Sequence, residues 1–291
     1  MKFTFIYPPN EPYSCCEGPA LEVSHQGCLP VLSPPGSFAQ TFSTSVSHGQ
    51  PILFFGGLTQ LSWLFQTPTM RAHWRSLPVP KYILATENCF TEPMGDPSFP
   101  ERRDKALEVA THLGTIPDNW ELPHLLATGK PVQVFESFPV ALDGYRSLTE
   151  FKARRRRLLF IGTRHGAVRT ALLSALEQAS LIDVCRTPLN QWPQAVTLHN
   201  AYAAVANFRS YHSRQLRYLP RVLESWACGN YLVDFSDLEA HQGDAAVARA
   251  RAINWDQAEA EAERTHAEVL RFSPVTFYRS IIEWLHKTPC T

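Results

Sequence analysis

The amino-acid sequence predicts an α/β protein in which helices cover both faces of parallel sheets. Three observations predict it. Short apolar runs are separated by stretches of helical periodicity, regularly in the second half and less so in the proline-rich first half. Those runs are continuously apolar rather than alternating, as strands buried on both faces require. The pattern breaks once, in "ESFPVALDGYRSLTEFKARRRR" (136–157), where a D-G turn signal precedes a basic block. The 291 residues suit two domains of ordinary size. The boundary divides the chain into an N-terminal domain, residues 1–145, and a C-terminal domain, residues 146–291, with the last helix free to pack back on the first domain.

In the first half "KFTFIY" (2–7) reads as a strand, and "LPVL" (29–32) as a second, bounded by Gly27 and Pro34-Pro35-Gly36. "PILFF" (51–55) is a buried-type strand closed by Gly56-Gly57, and "LTQLSWLF" (58–65) carries helical spacing. "KYILAT" (81–86) is a strand. "ERRDKALEVATHLG" (101–114) reads as one amphipathic helix, with Leu107, Ala110 and Leu113 on a face and Gly114 as its stop. "KPVQVF" (130–135) is a further strand.

The second half is more regular. "RLLFIG" (157–162) is a strand, "AVRTALLSALEQA" (167–179) a helix and "LIDV" (181–184) a strand. "QAVTLHNAYAAVANF" (194–208) reads as a short helix leading into a strand. "RQLRYLPRVLESWACG" (214–229) is a helix that kinks or begins at Pro220, because proline lacks the N–H of a helix interior. "YLVDF" (231–235) is a strand. Residues 254–272 and 275–287 read as helices.

Composition narrows the function classes. Hydrophobic residues make up 44% and charged residues 19%, and the formal net charge is zero, so no global field draws in polyanions. The seven cysteines show no C-x-x-C pair and no regular spacing, which argues against a disulfide framework and a structural zinc site. There is no run of 18 apolar residues, and the N-terminal apolar run is too short for a signal peptide. A cytoplasmic protein without a membrane span is expected.

Two segments could carry chemistry. In "LLFIGTRHGAVRTALL" an apolar strand ends at Gly162, and a loop with Gly166 enters a helix. Such a turn lets backbone N–H groups and a helix N-terminus approach an anion, with Arg164 and Arg169 placed to add charge-assisted contacts. The plain alternative is an ordinary strand–helix turn with exposed arginines. Neither G-K-[ST] nor G-x-G-x-x-G is present, which disfavours ATPase and dehydrogenase readings. In "ANFRSYHSRQLRYLPRVLESWACG", Arg214, Arg217, Arg221 and Glu224 recur at helical intervals as one polar stripe, with Arg209 just upstream. Either that stripe is a solvated face with an Arg221–Glu224 ion pair, or it faces a cleft where arginines meet phosphates and Glu224 meets hydroxyls.

At this point "RVLESWACGNYLVDF" resembles the nucleotide-sugar segment of GT-B-type glycosyltransferases, in the group-1 branch that includes spore-maturation-type proteins. The usual pattern there is Arg, a hydrophobic residue, Phe, Glu, then Ala-Cys-Gly or Ala-Ser-Gly before a strand. "LLFIGTRHGAVR" is similar to the strand, glycine and arginine element at the start of that family's C-terminal domain. The resemblance covers residues 157–240. It implies two Rossmann-like domains facing across a cleft, the N-terminal one compact and holding the acceptor, the C-terminal one holding a nucleoside diphosphate sugar, with a UDP-sugar favoured. It implies that Glu224 holds ribose hydroxyls, that Gly162, Arg164 and Arg169 face the diphosphate, and that Asn207 and Arg221 lie near the donor. Arg209 and Arg217 complete the candidate donor-binding set. Leu223 stands where the family has an aromatic, and Leu216 where many retaining members have an acidic residue.

The resemblance implies a hexosyl transfer in which arginines and backbone N–H groups stabilise the leaving diphosphate. The absence of an Asp-x-Asp motif agrees with a site that uses no metal, and no cofactor is expected beyond the nucleotide sugar. An inverting enzyme also needs a base on the acceptor hydroxyl. Glu87 and His48 are the candidates, each with a plain alternative as a capping or surface carboxylate and a loop histidine. "ARRRR" (153–157) reads as a solvated linker or as a nucleic-acid patch, the latter suiting a phage-type enzyme that glycosylates hydroxymethylated pyrimidines in DNA. A non-catalytic protein that binds nucleotides or sugar phosphates on the same fold is the alternative from another class. The acceptor could be a glycan, a protein, a small molecule or modified DNA.

Overall fold

The computed structural model describes residues 4–6, 29–31, 51–56, 65–85, 99–115, 122–135, 145–162, 164, 166–185, 192–208, 219–269, 279–281 and 283–284. These fall into two compact units. The first holds the described residues through Phe135 together with helical residues 279–281, 283 and 284, and the second those from Tyr145 to Val269.

The first unit is a six-stranded, all-parallel sheet in the order β2-β1-β3-β4-β5-β6. Its strands are β1 (Thr4–Ile6), β2 (Leu29–Val31), β3 (Ile52–Gly56), β4 (Lys81–Ala85), β5 (His112–Thr115) and β6 (Val132–Val134). Helices α1 (Pro68–Ser76), α2 (Phe99–Val109) and α3 (Leu122–Ala127) alternate with the later strands. The sequence pattern passes over α1, although its start is well marked. Thr67 caps it by accepting from the Met70 N–H at 3.2 Å, and Pro68 fills the first helical position, where its missing N–H costs nothing. The core joins Ile52, Phe54 and Ile83 of the strands to Trp74, Ala106 and Val109 of the helices, with Phe54 meeting Trp74 edge-on at 5.0 Å.

One helix expectation is corrected here. Residues 101–114 are not a single helix: α2 ends at Val109, and "HLGT" forms β5, buried at all four residues and paired with both β4 and β6. Gly114 is therefore not a helix stop. It lies in the strand where a Cβ would come within 2.8 Å of the Phe135 ring, 3.0 Å of Leu84 and 3.2 Å of Trp284. Trp284, from the C-terminal helical residues, packs edge-on against Tyr82 and Phe135 of the same unit. The expected helix at 58–65 lies outside the described residues except for Phe65, which is buried.

The second unit is a four-stranded parallel sheet, β10-β9-β7-β8. Its strands are β7 (Arg155–Ile161), β8 (Ile182–Cys185), β9 (Tyr202–Asn207) and β10 (Tyr231–Asp234). The helices are α4 (Ala167–Gln178), α5 (Trp192–Ala201), α6 (Leu219–Ala227), α7 (Gly243–Arg251) and α8 (Trp255–Val269). β9 is buried throughout, as the apolar run "YAAVAN" requires of a strand with neighbours on both sides and helices on both faces. α7 packs on α4 so closely that a Cβ on Gly243 would stand 2.9 Å from that of Ala175. α8 packs on α6, and His266 Nδ1 meets the Trp226 carbonyl at 2.9 Å. Among the described residues no helix is long and apolar enough to cross a membrane.

Candidate functional site

In the second unit the chain leaves β7 for β8 on one side and returns to β9 on the other. The switch point therefore lies between β7 and β9, and the ligand crevice of such a sheet lies outside the carboxyl ends of these strands. At the end of β7 stands Gly162 with φ +147°, its N–H donating to the Cys185 carbonyl at 3.4 Å. Gly166, with φ +88°, is the N-cap of α4. Both values lie where a Cβ is disfavoured, so the loop conformation itself requires glycine. The outcome is a short strand–loop–helix connection that leads the backbone into a helix N-terminus, where N–H groups favour an anion.

Arg164 of this loop and Arg169 of the first turn of α4 both have partners away from the helix start. Arg164 forms an ion pair with the Glu177 carboxylate and a 3.4 Å hydrogen bond to Ser174 Oγ. Glu177 is ten residues past Ala167, about 15 Å along the helix axis. The Arg164 guanidinium thus lies along the flank of α4. Arg169 is buried, with its guanidinium 5.7 Å from the centre of the Phe160 ring.

Asn207 ends β9. Leu159 of β7 is level with Val205, and continuing that register by two residues brings Ile161 level with Asn207. Asn207 is 0% exposed. Its Nδ2 donates to Asp234 Oδ1 at 3.0 Å, and its Oδ1 has no hydrogen-bond partner among the described residues. Asp234 Oδ1 also accepts from the Ser236 N–H at 3.0 Å. Arg249 donates to the Asp234 carbonyl and binds both oxygens of Asp237, at 2.6 and 2.8 Å.

Glu224 lies in the second turn of α6. Pro220 is the second described residue of this helix, Leu219–Ala227. The helix ends by a glycine cap: Cys228 N–H donates to the Glu224 carbonyl, Gly229 to Trp226 and Asn230 to Ser225, with Gly229 at φ +67°. Glu224 is 6% exposed, so the reading of its stripe as a solvated face fails at this residue. A carboxylate is expensive to hold in apolar surroundings and is retained where compensating groups meet it. Burial pushes the Cys228 thiol well up, and the nearby Glu224 charge pushes it further, so Cys228 is inert packing and not a nucleophile. Arg209 and Arg217, the base candidates Glu87 and His48, and the side chain of Arg221 lie outside the described residues.

The basic run divides: Arg155 and Arg156 are exposed, Arg157 is half-buried, and Arg154 is buried. Arg154 is 5% exposed. It donates to the Thr149 carbonyl at 2.9 and 2.6 Å, to the Gly229 carbonyl at 3.0 Å and to Ser147 Oγ at 2.8 Å. Arg155 donates to the Tyr202 hydroxyl at 3.2 Å, and Arg157 pairs with Asp183 at 2.9 Å. Of Arg154–Arg157 only Arg156 is exposed without a contact of this kind. The run lies at the amino end of β7, opposite the crevice. Here β7 carries an extra residue, with Arg155 level with Tyr202 but Leu158 with Ala204, and such a bulge re-aims side chains. Among the described residues no three His, Cys, Asp or Glu side chains are grouped closely enough to hold a metal ion.

Sequence reasoning missed Asp234 and the Arg154 clamp. Asp234 was only a strand end, 27 residues from Asn207, and no local pattern couples the two. Asn200 was missed likewise; its Oδ1 accepts from the Leu148 and Thr149 N–H groups, and its Nδ2 donates to the Arg146 carbonyl.

No protein-family model and no curated protein sequence matches the chain. Solved structures do. An alpha-glucosyltransferase in complex with UDP-glucose and DNA containing an abasic site superposes with a TM-score of 0.60 at 9% identity, over 98% of this chain and 99% of that one. The trehalose 6-phosphate synthase of Burkholderia multivorans gives 0.52 at 8% identity, over 85% and 74% of the two chains. The trehalose-6-phosphate synthase OtsA gives 0.52 at 10% identity, over 87% and 77%. The shared feature is the fold, and it is the GT-B glycosyltransferase fold, with its two Rossmann-like parallel sheets.

Proposed function

We propose that the chain is a glycosyltransferase that moves a sugar from a nucleoside diphosphate sugar, a UDP-sugar favoured, to an acceptor hydroxyl without a metal. The observation that carries this is the carboxyl edge of the second sheet. A two-glycine loop at a helix N-terminus stands beside a buried asparagine with an unused acceptor, and the helix after β9 carries a buried glutamate. The GT-B fold raises the expectation, because in the glucosyltransferase it resembles the bound donor is UDP-glucose.

In this reading the bond between the anomeric carbon and the diphosphate oxygen breaks, and the nucleoside diphosphate leaves with the electron pair. Backbone N–H groups of the Gly162–Gly166 loop and nearby arginines stabilise the developing charge. Arg164 reaches it by releasing Glu177. Arg209, Arg217 and Arg221 are the other cations proposed for the donor. Glu224 accepts from ribose hydroxyls. The acceptor oxygen bonds to the anomeric carbon as its proton passes to a base, for which Glu87 and His48 remain the candidates.

A thermal-shift panel of UDP, GDP and their sugars tests the reading. A ligand at 100 times its dissociation constant adds about 2.7 kcal/mol of stability. Glu224→Gln should fold as the parent does and lose most of that shift. An equal shift in variant and parent removes Glu224 from the donor site. Binding with no turnover across a broad acceptor set would instead favour the non-catalytic alternative.

DNA as acceptor is the second reading, favoured by the near-complete mutual coverage with the glucosyltransferase solved on DNA. Binding to duplex containing hydroxymethylated pyrimidines should then weaken steeply with salt. Saturating transfer to small acceptors but not to such duplex would refute it.

A further inference from the structure

We infer that Asp234 is a positioning residue that sets Asn207 to accept a hydrogen bond from a ligand hydroxyl at the carboxyl ends of β7 and β9; this rests on the donor-site reading above. A carboxylate can only accept, so the Asn207 atom that meets Asp234 Oδ1 at 3.0 Å is the NH2 group. The amide orientation follows: its oxygen is the atom turned away from Asp234. That oxygen is buried and has no partner among the described residues, whereas most buried polar side-chain atoms have one. Leaving an acceptor unmet in apolar surroundings is costly, and a ligand donor relieves the cost.

The position narrows that donor. Continued two residues past Leu159–Val205, the register sets Asn207 beside Ile161, one residue before the glycine loop that suits an anion. An amide oxygen repels phosphate oxygens, so its complement is a hydroxyl adjoining the diphosphate. Asp234 is in turn fixed by its neighbours. The Ser236 N–H binds the same carboxylate oxygen, and Arg249 holds the Asp234 carbonyl while pairing with Asp237. The network extends from an exposed ion pair to one buried acceptor.

The test is a double-mutant cycle read by calorimetric titration with UDP-glucose and with UDP. Asn207→Ala and Asp234→Ala should each weaken binding about tenfold, and the double variant should bind no worse than Asn207→Ala alone, because Asp234 acts through Asn207. Multiplying losses would overturn the inference, since they assign Asp234 a separate role. If Asp234→Ala does not fold, Asp234→Asn decides. Its amide oxygen still accepts from Asn207 Nδ2 and from the Ser236 N–H and leaves the Asn207 oxygen free, so it should bind within about threefold of the parent. Asn207→Asp alone, with two carboxylates in contact, should bind far more weakly. An Asp234→Asn variant as weak as that single variant overturns the inference. Asn207→Ala binding like a parent that does bind UDP-glucose overturns it while leaving the donor site standing. A parent that binds neither UDP nor UDP-glucose overturns the UDP-sugar reading and the inference together.

Discussion

Arg154 offers the sharpest test of how the second unit is held together. It is a buried cation whose partners are neutral: the carbonyls of Thr149 and Gly229, and Ser147 Oγ. Gly229 follows the C-terminus of α6, where the helix dipole favours a positive charge. Replacing Arg154 by alanine takes the shared donor from three acceptors, on exposed Ser147 and on half-buried Thr149 and Gly229. At about 1 kcal/mol for each, with a further contribution from lost packing of the long stem, the loss should reach roughly 3–4 kcal/mol. Arg156→Ala, two positions along at an exposed site, should stay within about 0.5 kcal/mol of the parent. Urea unfolding followed by tryptophan fluorescence measures both. Arg154→Lys should recover only part of the loss, because an ammonium cannot span the carbonyls on both sides. If Arg154→Ala unfolds at the same urea concentration as Arg156→Ala, the clamp is not a stabilising element and the basic run must be read again as a surface feature.

Two further outcomes are expected in the first unit. Gly114→Ala places a methyl 2.8 Å from the Phe135 ring and 3.2 Å from Trp284, so it should destabilise by about 1–3 kcal/mol and shift the tryptophan emission; an unchanged midpoint would contradict the packing described. His112 is 7% exposed, stacks on Tyr82 at 4.5 Å, and has its pKa lowered by burial and then by the Lys130 charge. A folded pKa below the unfolded one means the unfolded chain binds the proton first. Its contribution is therefore complete above about pH 6.5 and is lost as the pH falls towards the depressed folded value. The variant His112→Phe should lose less stability than the parent between pH 7 and pH 5, and parallel profiles would show that His112 does not titrate in that way.

Local pattern made most of the second unit legible. The runs "RLLFIG" and "YAAVAN", the helix "AVRTALLSALEQ" and the glycine stops are each built from residues within a few positions of one another, and periodicity reports such elements directly. The short apolar segments of the first unit were legible for the same reason. The segment "THLG" was misread because His112–Thr115 continues the spacing of the helix before it, and only partners on both sides, Tyr82–Ala85 and Val132–Val134, draw it into the sheet. At the candidate site the sequence by itself determined that Gly162 and Asn207 stand where strands end and that Glu224 stands on the following helix. The tertiary structure alone decided that Glu224 is buried, that Arg164 is held by Glu177, that Arg154 spans 75 residues to Gly229, and that Asp234 meets Asn207. The physical reason is range. Propensity and periodicity act over one or two turns, whereas the partner of a charge or an amide is fixed by strand order and register, which bring distant residues level with one another.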